Sequence, residues 1–178
     1  EEGRPVPDGI EGDLAVRVRP HRPVGMFRDH WKNPAATAAC HRRDWYVTFD
    51  RAMRDERGYF WFVGRSDDVI ISAGYRIGPF EVESALLEHP AVVESAVIAH
   101  PDSARGNVVK AFVVLADGFG PSPALTRDLQ DHVKRVTAPY KYPREIAYVA
   151  DLPKTISGKI RRGELRALDR AAGGEERP

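Results

Sequence analysis

The chain changes texture near residue 65, and that change sets how many folding units it can hold. Up to about residue 63 the apolar residues come in short runs of period two, Asp13 to Arg19 being the clearest, as half-buried strands require. Pro20 and Pro23 break the pairing, and Asn33-Pro34 opens a short Ala-rich helix, since Pro is tolerated at the first helical position. Two more strands are expected around Trp45 to Phe49 and Tyr59 to Val63, flanking Asp55-Glu-Arg-Gly58, whose Gly suits the positive φ of a hairpin turn. No helix-backed core is expected here, so residues 1–64 read as the C-terminal, β-rich remnant of a larger domain.

From Arg65 onward the pattern is that of a self-contained α+β unit. A helix follows Gly78-Pro79 and ends before Pro90. Ala91 to Ala99, Val108 to Leu115 and Ile146 to Val149 read as strands of one mixed or antiparallel sheet of about three strands. Leu125 to Val136 forms an amphipathic helix closed by Pro139, and Arg161 to Arg170 a last, basic helix after the loop Ile156-Ser-Gly158. The expected division is a hinge at 65–68, a small domain at 69–172 flanked by its helices, and a disordered tail at 173–178.

Composition narrows the function classes. The 178 residues are 42% hydrophobic and 30% charged, an ordinary globular balance. No apolar run approaches the ~18 residues of a membrane span, so none is expected. The start, Glu-Glu-Gly-Arg-Pro, has no signal-peptide pattern. A single cysteine, Cys40, allows no intrachain disulfide, which suits a reducing cytoplasm. Followed at once by His41 and with no cysteine partner, it indicates neither a zinc site nor a catalytic thiol. Net charge is only +1, yet between Lys134 and Arg170 ten Lys/Arg stand against four Asp/Glu. That local surplus suggests a phosphate-bearing partner or, equally, a solvated basic helix.

Two stretches carry chemistry. In Pro153-Lys-Thr-Ile-Ser-Gly-Lys159 a phosphate-binding P-loop is excluded, because Pro153 and Ile160 stand where Gly and Ser or Thr are needed. A flexible loop delivering Lys159 beside Gly158 remains, able to bring an ammonium to a phosphate or carboxylate. In Gly64-Arg-Ser-Asp-Asp-Val-Ile-Ile-Ser-Ala-Gly-Tyr-Arg-Ile-Gly-Pro-Phe-Glu-Val-Glu83, three glycines, two arginines and an acidic pair suggest a hinge joined to a tight turn and a helix start. Together these stretches resemble the last motifs of adenylate-forming enzymes (acyl-CoA synthetases, luciferases and peptide-synthetase adenylation domains). Arg22-Pro-Val-Gly-Met-Phe27, Tyr59-Phe-Trp-Phe-Val-Gly-Arg65, Gly74-Tyr-Arg-Ile-Gly-Pro79 and Ala138-Pro-Tyr-Lys-Tyr-Pro-Arg144 narrow the resemblance to medium-chain acyl-CoA synthetases, over roughly residues 9–168.

The resemblance implies a two-step reaction. A carboxylic acid and ATP give an acyl-adenylate and pyrophosphate; the small domain then turns, and the thiol of CoA displaces AMP. Lys159 matches the catalytic lysine, which bridges carboxylate and α-phosphate. Asp50 matches the acid that holds the ribose hydroxyls, although Val47-Thr-Phe-Asp50 has Phe49 where relatives have Gly. Arg65 matches a second nucleotide contact, Arg76 a phosphate contact, and Asp67 the hinge itself. Ala73, Gly74 and Tyr75 match a strand lining the pantetheine tunnel, with Ala73 where relatives often have Ser. Arg105, Lys134, Tyr142, Pro143 and Arg144 match contacts to the CoA nucleotide. Mg2+ would accompany ATP, with its ligands outside this chain, and the ATP loop, adenine segment and acyl pocket would also lie upstream. The chain is therefore expected to be inactive alone. A separately encoded CoA- or nucleotide-binding lid serving a large-domain subunit is the alternative. Nucleic-acid binding is not expected, since no fold motif or aromatic array for base stacking is present.

Overall fold

The computed structural model describes residues 3–174. The chain divides into two compact units, 1–67 and 68–178. In the first, strand β1 (Glu11–Arg17) is followed by helix α1 (Pro34–Cys40), β2 (His41–Arg42), β3 (Trp45–Arg54) and β4 (Phe60–Arg65). β3 is the hub, pairing antiparallel with β1, β2 and β4. Asn33 caps α1 by accepting a hydrogen bond from the Ala36 N–H, and Pro34 costs nothing at a position whose own N–H would be unpaired. The short Ala-rich helix expected after Asn33-Pro34 is present as α1. Cys40 at its end is buried together with Val47 and Ala52 of β3, the only fully buried apolar side chains among the described residues of this unit. Meanwhile Phe60, Trp61 and Phe62 of β4 all stay exposed.

The second unit carries the larger core. A hairpin of β5 (Ile70–Ser72) and β6 (Tyr75–Ile77) leads into α2 (Pro79–Leu87), then β7 (Val92–Asp102), β8 (Gly106–Leu115), α3 (Pro123–Val136), a 3-10 turn (Pro139–Lys141), β9 (Glu145–Tyr148) and α4 (Arg162–Gly174). The sheet runs β7-β8-β9, with β7 and β8 antiparallel and β8 and β9 parallel. Period-two alternation gives it two apolar faces. Val97, Val109, Ala111 and Val113 pack with Val82 and Leu86 of α2 and Leu129 and Val133 of α3. Ala96, Ile98 and Phe112 pack with Leu152 and with Leu165 of α4. The mixed α+β sheet of three strands flanked by helices is thus as expected.

A buried polar group fastens α4 to the sheet. Asp169 is 5% exposed and meets His100 Nδ1 at 2.6 Å and Lys110 Nζ at 2.7 Å. Burial alone would raise the Asp169 carboxyl, but the hydrogen bonds from Lys110 and His100 outweigh it and hold the group below the usual carboxylate range. Boundaries shift in places. α4 continues through Gly173 and Gly174, so a tail at 173 begins too early; residues 175–178 lie outside the described part. Among the described residues no helix is long and apolar enough to cross a membrane, and no group of three or more His, Cys, Asp or Glu could hold a metal ion.

Candidate functional site

In the first unit, Asp50 of β3 and Arg65 of β4 are register partners, and Arg65 Nη1 lies 3.6 Å from Asp50 Oδ1. The guanidinium of Arg65 also grips Asp67, with Nε at 2.8 Å from Oδ1 and Nη2 at 3.1 Å from Oδ2. Three of the expected residues therefore form one Asp50–Arg65–Asp67 chain of charge. All three are partly exposed, so each pair contributes at most about 1 kcal/mol to stability. Its interest is positional, because one cation joins Asp50 of β3 to Asp67 beyond the end of β4.

Phe49 shapes this site. Asp13 faces Arg51 and Ala15 faces Val47, so Thr48, Phe49 and Asp50 stand against Leu14 alone. The bulge is pinned by Thr48 Oγ1, which donates to the Leu14 carbonyl at 2.9 Å and accepts from the Asp50 N–H at 3.0 Å. Inside it Phe49 adopts φ +65°, a left-handed conformation that costs an L side chain roughly 1–2 kcal/mol. Its carbonyl accepts from both the Ser66 N–H (2.7 Å) and the Ser66 hydroxyl (3.1 Å). Backbone geometry thus favours Gly at this position, and Phe49 holds the bend under strain. Phe49→Gly is therefore expected to be more stable than Phe49→Ala by about 1 kcal/mol, since both lose the ring and only Gly relaxes at positive φ. Urea unfolding of the two variants checks this; in an unstrained strand Ala would win.

In the second unit, Ala73 (φ +48°) and Gly74 (φ +84°) are the two central residues of the β5–β6 hairpin. They form a turn rather than the expected strand, since two successive positive φ values match the tight hairpin geometry. Only Tyr75 lies in a strand, β6, beside exposed Arg76. The Ala73 N–H donates to the Arg105 carbonyl at 3.1 Å and Asn107 Nδ2 to the Ile71 carbonyl at 3.3 Å, so the hairpin tip is tied to the β7–β8 turn that carries Arg105. Tyr75 stacks on Tyr140, centroids 4.3 Å apart and planes 19° from parallel. Further along that segment the Tyr142 ring has Lys134 Nζ at 4.4 Å and the Arg144 guanidinium at 5.0 Å, and Arg144 Nη1 donates to the Tyr142 hydroxyl at 2.8 Å. Pro143 is buried, its carbonyl accepting from Gln130 Nε2 at 3.0 Å. Tyr140 lies in the Ala138–Arg144 motif without an expected role of its own; its ring stack arises only where β6 and the 3-10 turn meet.

Lys159 ends a tight turn in which the Thr155 N–H donates to the Lys159 carbonyl at 2.8 Å and the Lys159 N–H to Thr155 Oγ1 at 3.0 Å. Gly158 supplies φ +81°. The loop is closed by hydrogen bonds, and Ile160 and Lys154 bridge its base, so the exposed lysine is presented from a defined support.

Pairing removes most of the basic surplus. Of the ten cations between 134 and 170, six meet acids: Lys134 with Asp131, Lys141 with Glu81, Lys154 with Glu94, Arg161 with Glu164, Arg162 with Glu83 and Arg166 with Asp68. Among the described residues Arg135, Arg144, Lys159 and Arg170 form no ion pair, and two of these four are expected contacts to anionic ligands. Among the described residues, positive charge without an acidic partner is thus confined to individual cations of the segment.

Comparison with known proteins sets this geometry in context. Residues 81–159 match the family model described as AMP-binding enzyme C-terminal domain. The chain is 60% identical over 171 residues to "Acyl-coenzyme A synthetase ACSM5, mitochondrial" of Homo sapiens, covering 95% of this chain and 30% of that protein. It is 62% identical over 168 residues to "Acyl-coenzyme A synthetase ACSM4, mitochondrial" of Homo sapiens, covering 93% and 29%. Among solved structures it is similar to the anthranilate CoA ligase AuaEII in complex with anthranoyl-AMP, with 39% identity and a TM-score of 0.81 over 98% of this chain and 33% of that one. The chain thus spans about a third of the length of these relatives.

Proposed function

We propose that this chain, whose residues 81–159 match the AMP-binding enzyme C-terminal domain, serves as the C-terminal part of an ATP-dependent acyl-CoA synthetase acting on medium-chain fatty or related acids. In the first step a carboxylate oxygen attacks the α-phosphorus of ATP, and the bond to the β-phosphate oxygen breaks to release pyrophosphate. In the second the CoA sulfur, having lost its proton, attacks the acyl carbon and AMP leaves with the electron pair of the broken C–O bond. Charge develops on phosphate oxygens in the first step, so a cation placed there lowers the barrier. Lys159 supplies it in this reading. Asp50 accepts from the ribose hydroxyls, Arg65 and Arg76 contact the nucleotide, and Mg2+ bound with ATP finds its ligands outside this chain.

The CoA half of the reading uses the other cluster. In this reading the turn at Ala73 and Gly74, which carries no side chain beyond Cβ, lies along the pantetheine arm, with Tyr75 beside it. Arg105, Lys134, Tyr142, Pro143 and Arg144 meet the phosphates and base of the CoA nucleotide. One observation carries the proposal: once neighbouring acids have paired with most of the basic segment, Arg144 and Lys159 are among the four cations that form no ion pair with the described residues. A cytoplasmic compartment is our reading of the lone buried thiol, Cys40, with the mitochondrion as the alternative because the two human relatives are named as mitochondrial.

Arg144→Ala in the intact protein tests the CoA assignment. Losing one charge-assisted hydrogen bond of about 1.5 kcal/mol raises the KM for CoA roughly tenfold and leaves acyl-adenylate formation unchanged. An unchanged KM for CoA rejects the assignment.

A further inference from the structure

Four buried or half-buried charges lie outside the residues assigned above, where the segment following Asp67 meets α2, β7 and α4. Glu83 of α2 has a side chain only 8% exposed. Its Oε1 accepts from the Val97 N–H at 2.8 Å, closing the free edge of β7, and from Arg162 Nη2 at 2.7 Å; its Oε2 accepts from Arg162 Nη2 at 2.6 Å. Arg162 is the first residue of α4, and its Nη1 lies 3.8 Å from Asp68 Oδ2. One turn on, Arg166 Nη1 donates to Asp68 Oδ1 at 3.0 Å. Asp68 stands directly after Asp67, and its side chain is 12% exposed.

Such a network is a weak source of stability, because the desolvation of its charges offsets most of their attraction. What it does supply is fixed geometry, through a guanidinium held on two sides. The position of α4 matters for one residue above others. Lys159 lies three residues before Arg162, and between them the Arg161 N–H donates to the Pro153 carbonyl at 2.8 Å while Ile160 packs into the core under α4. Wherever α4 starts, the Lys159 turn must follow. By contrast the Ala73–Gly74 turn and Arg105 are joined to each other through β8 and its turn, and Lys134, Tyr142 and Arg144 rest on α3.

We infer that Glu83, Arg162, Asp68 and Arg166 form a positioning clamp that ties the segment leaving the hinge to the helix carrying the Lys159 turn, and so sets where that ammonium arrives. These are positioning residues, acting through Lys159. The inference rests on Lys159 acting in acyl-adenylate formation as proposed above.

The test compares two half-reactions in the intact protein: pyrophosphate release from ATP and octanoate, and thioester formation from supplied octanoyl-adenylate and CoA. Glu83→Gln keeps an acceptor for the Val97 N–H and removes the charge. It is expected to lower the first half-reaction about tenfold or more, because small misplacements of a reacting group are costly, and to change the second less than about twofold. Arg162→Lys, which retains a cation beside Glu83, is expected to lose less than Arg162→Gln. A general weakening of the fold would depress both half-reactions alike, and that result overturns the clamp, as does an unaffected first half-reaction. Should Glu83→Gln fail to fold by circular dichroism, the less buried Asp68→Asn carries the same criterion. Lys159→Ala in the same assay separates the two claims. If it leaves the first half-reaction intact, the functional reading falls and the clamp with it; if it abolishes that step while Glu83→Gln does not weaken it, the clamp alone falls.

Discussion

Lys159→Ala lowers acyl-adenylate formation in the intact protein by roughly 10²–10³-fold, the loss expected when one preorganised donor to a developing oxyanion is removed, about 3–4 kcal/mol. Thioester formation from supplied acyl-adenylate is left near the level of the unsubstituted protein. The selectivity follows from where the lysine sits. It closes a turn whose backbone hydrogen bonds, Thr155 N–H to Lys159 carbonyl and Lys159 N–H to Thr155 Oγ1, do not involve the side chain, so truncation leaves the support in place. Its ammonium makes no hydrogen bond or ion pair with the described residues, so no buried partner is orphaned and the fold loses little. Separate assays of pyrophosphate release and of CoA thioester formation check the prediction. Equal loss in both would remove Lys159 from the first step.

Asp67→Pro should act in the opposite sense. If the small domain turns about this residue between the steps, its φ and ψ must change widely, and a pyrrolidine ring holds φ near −65°. Thioester formation is expected to fall on the order of 10²-fold while acyl-adenylate still forms. Two effects are combined in that variant, because it also removes the bidentate contact of Arg65 with the Asp67 carboxylate. Asp67→Ala removes the contact without fixing φ, and as an exposed pair it should cost at most about 1 kcal/mol. A large defect in Asp67→Pro beside a small one in Asp67→Ala locates the effect in the backbone. Matching defects would place the hinge elsewhere and leave Asp67 as an ion-pair partner of Arg65.

Long periodic segments were legible in the sequence because their pattern and their packing agree. Val97, Val109 and Val113 alternate with Ala96, Ile98 and Phe112, and the two sets do fill the two faces of one sheet. A tight turn within Gly64–Glu83 was legible from its glycines, but the two strands of the Ile70–Ile77 hairpin were not. Its strands have three residues each, too short for alternation to show, and the first central position of the turn is Ala73, which unlike Gly74 has no usual claim on positive φ. Phe49 was legible as an anomaly beside Asp50, but the reason for it, a left-handed residue in a bulge, needs the register of β1 against β3. Charge was the least readable property. Counting placed ten cations in one segment, whereas partners brought from α2, β7 and Asp68 neutralise several of them. The contacts that pair Glu83 with Arg162 span 79 positions of sequence, which no local pattern encodes.

The most direct test of the account takes the two variants together. In each, the rate of acyl-adenylate formation is divided by the rate of thioester formation from supplied acyl-adenylate, relative to the unsubstituted protein. One small domain serving two steps in two orientations predicts that the quotient falls well below one for Lys159→Ala and rises well above one for Asp67→Pro. Quotients that move in the same direction, or that both stay near one, would contradict it.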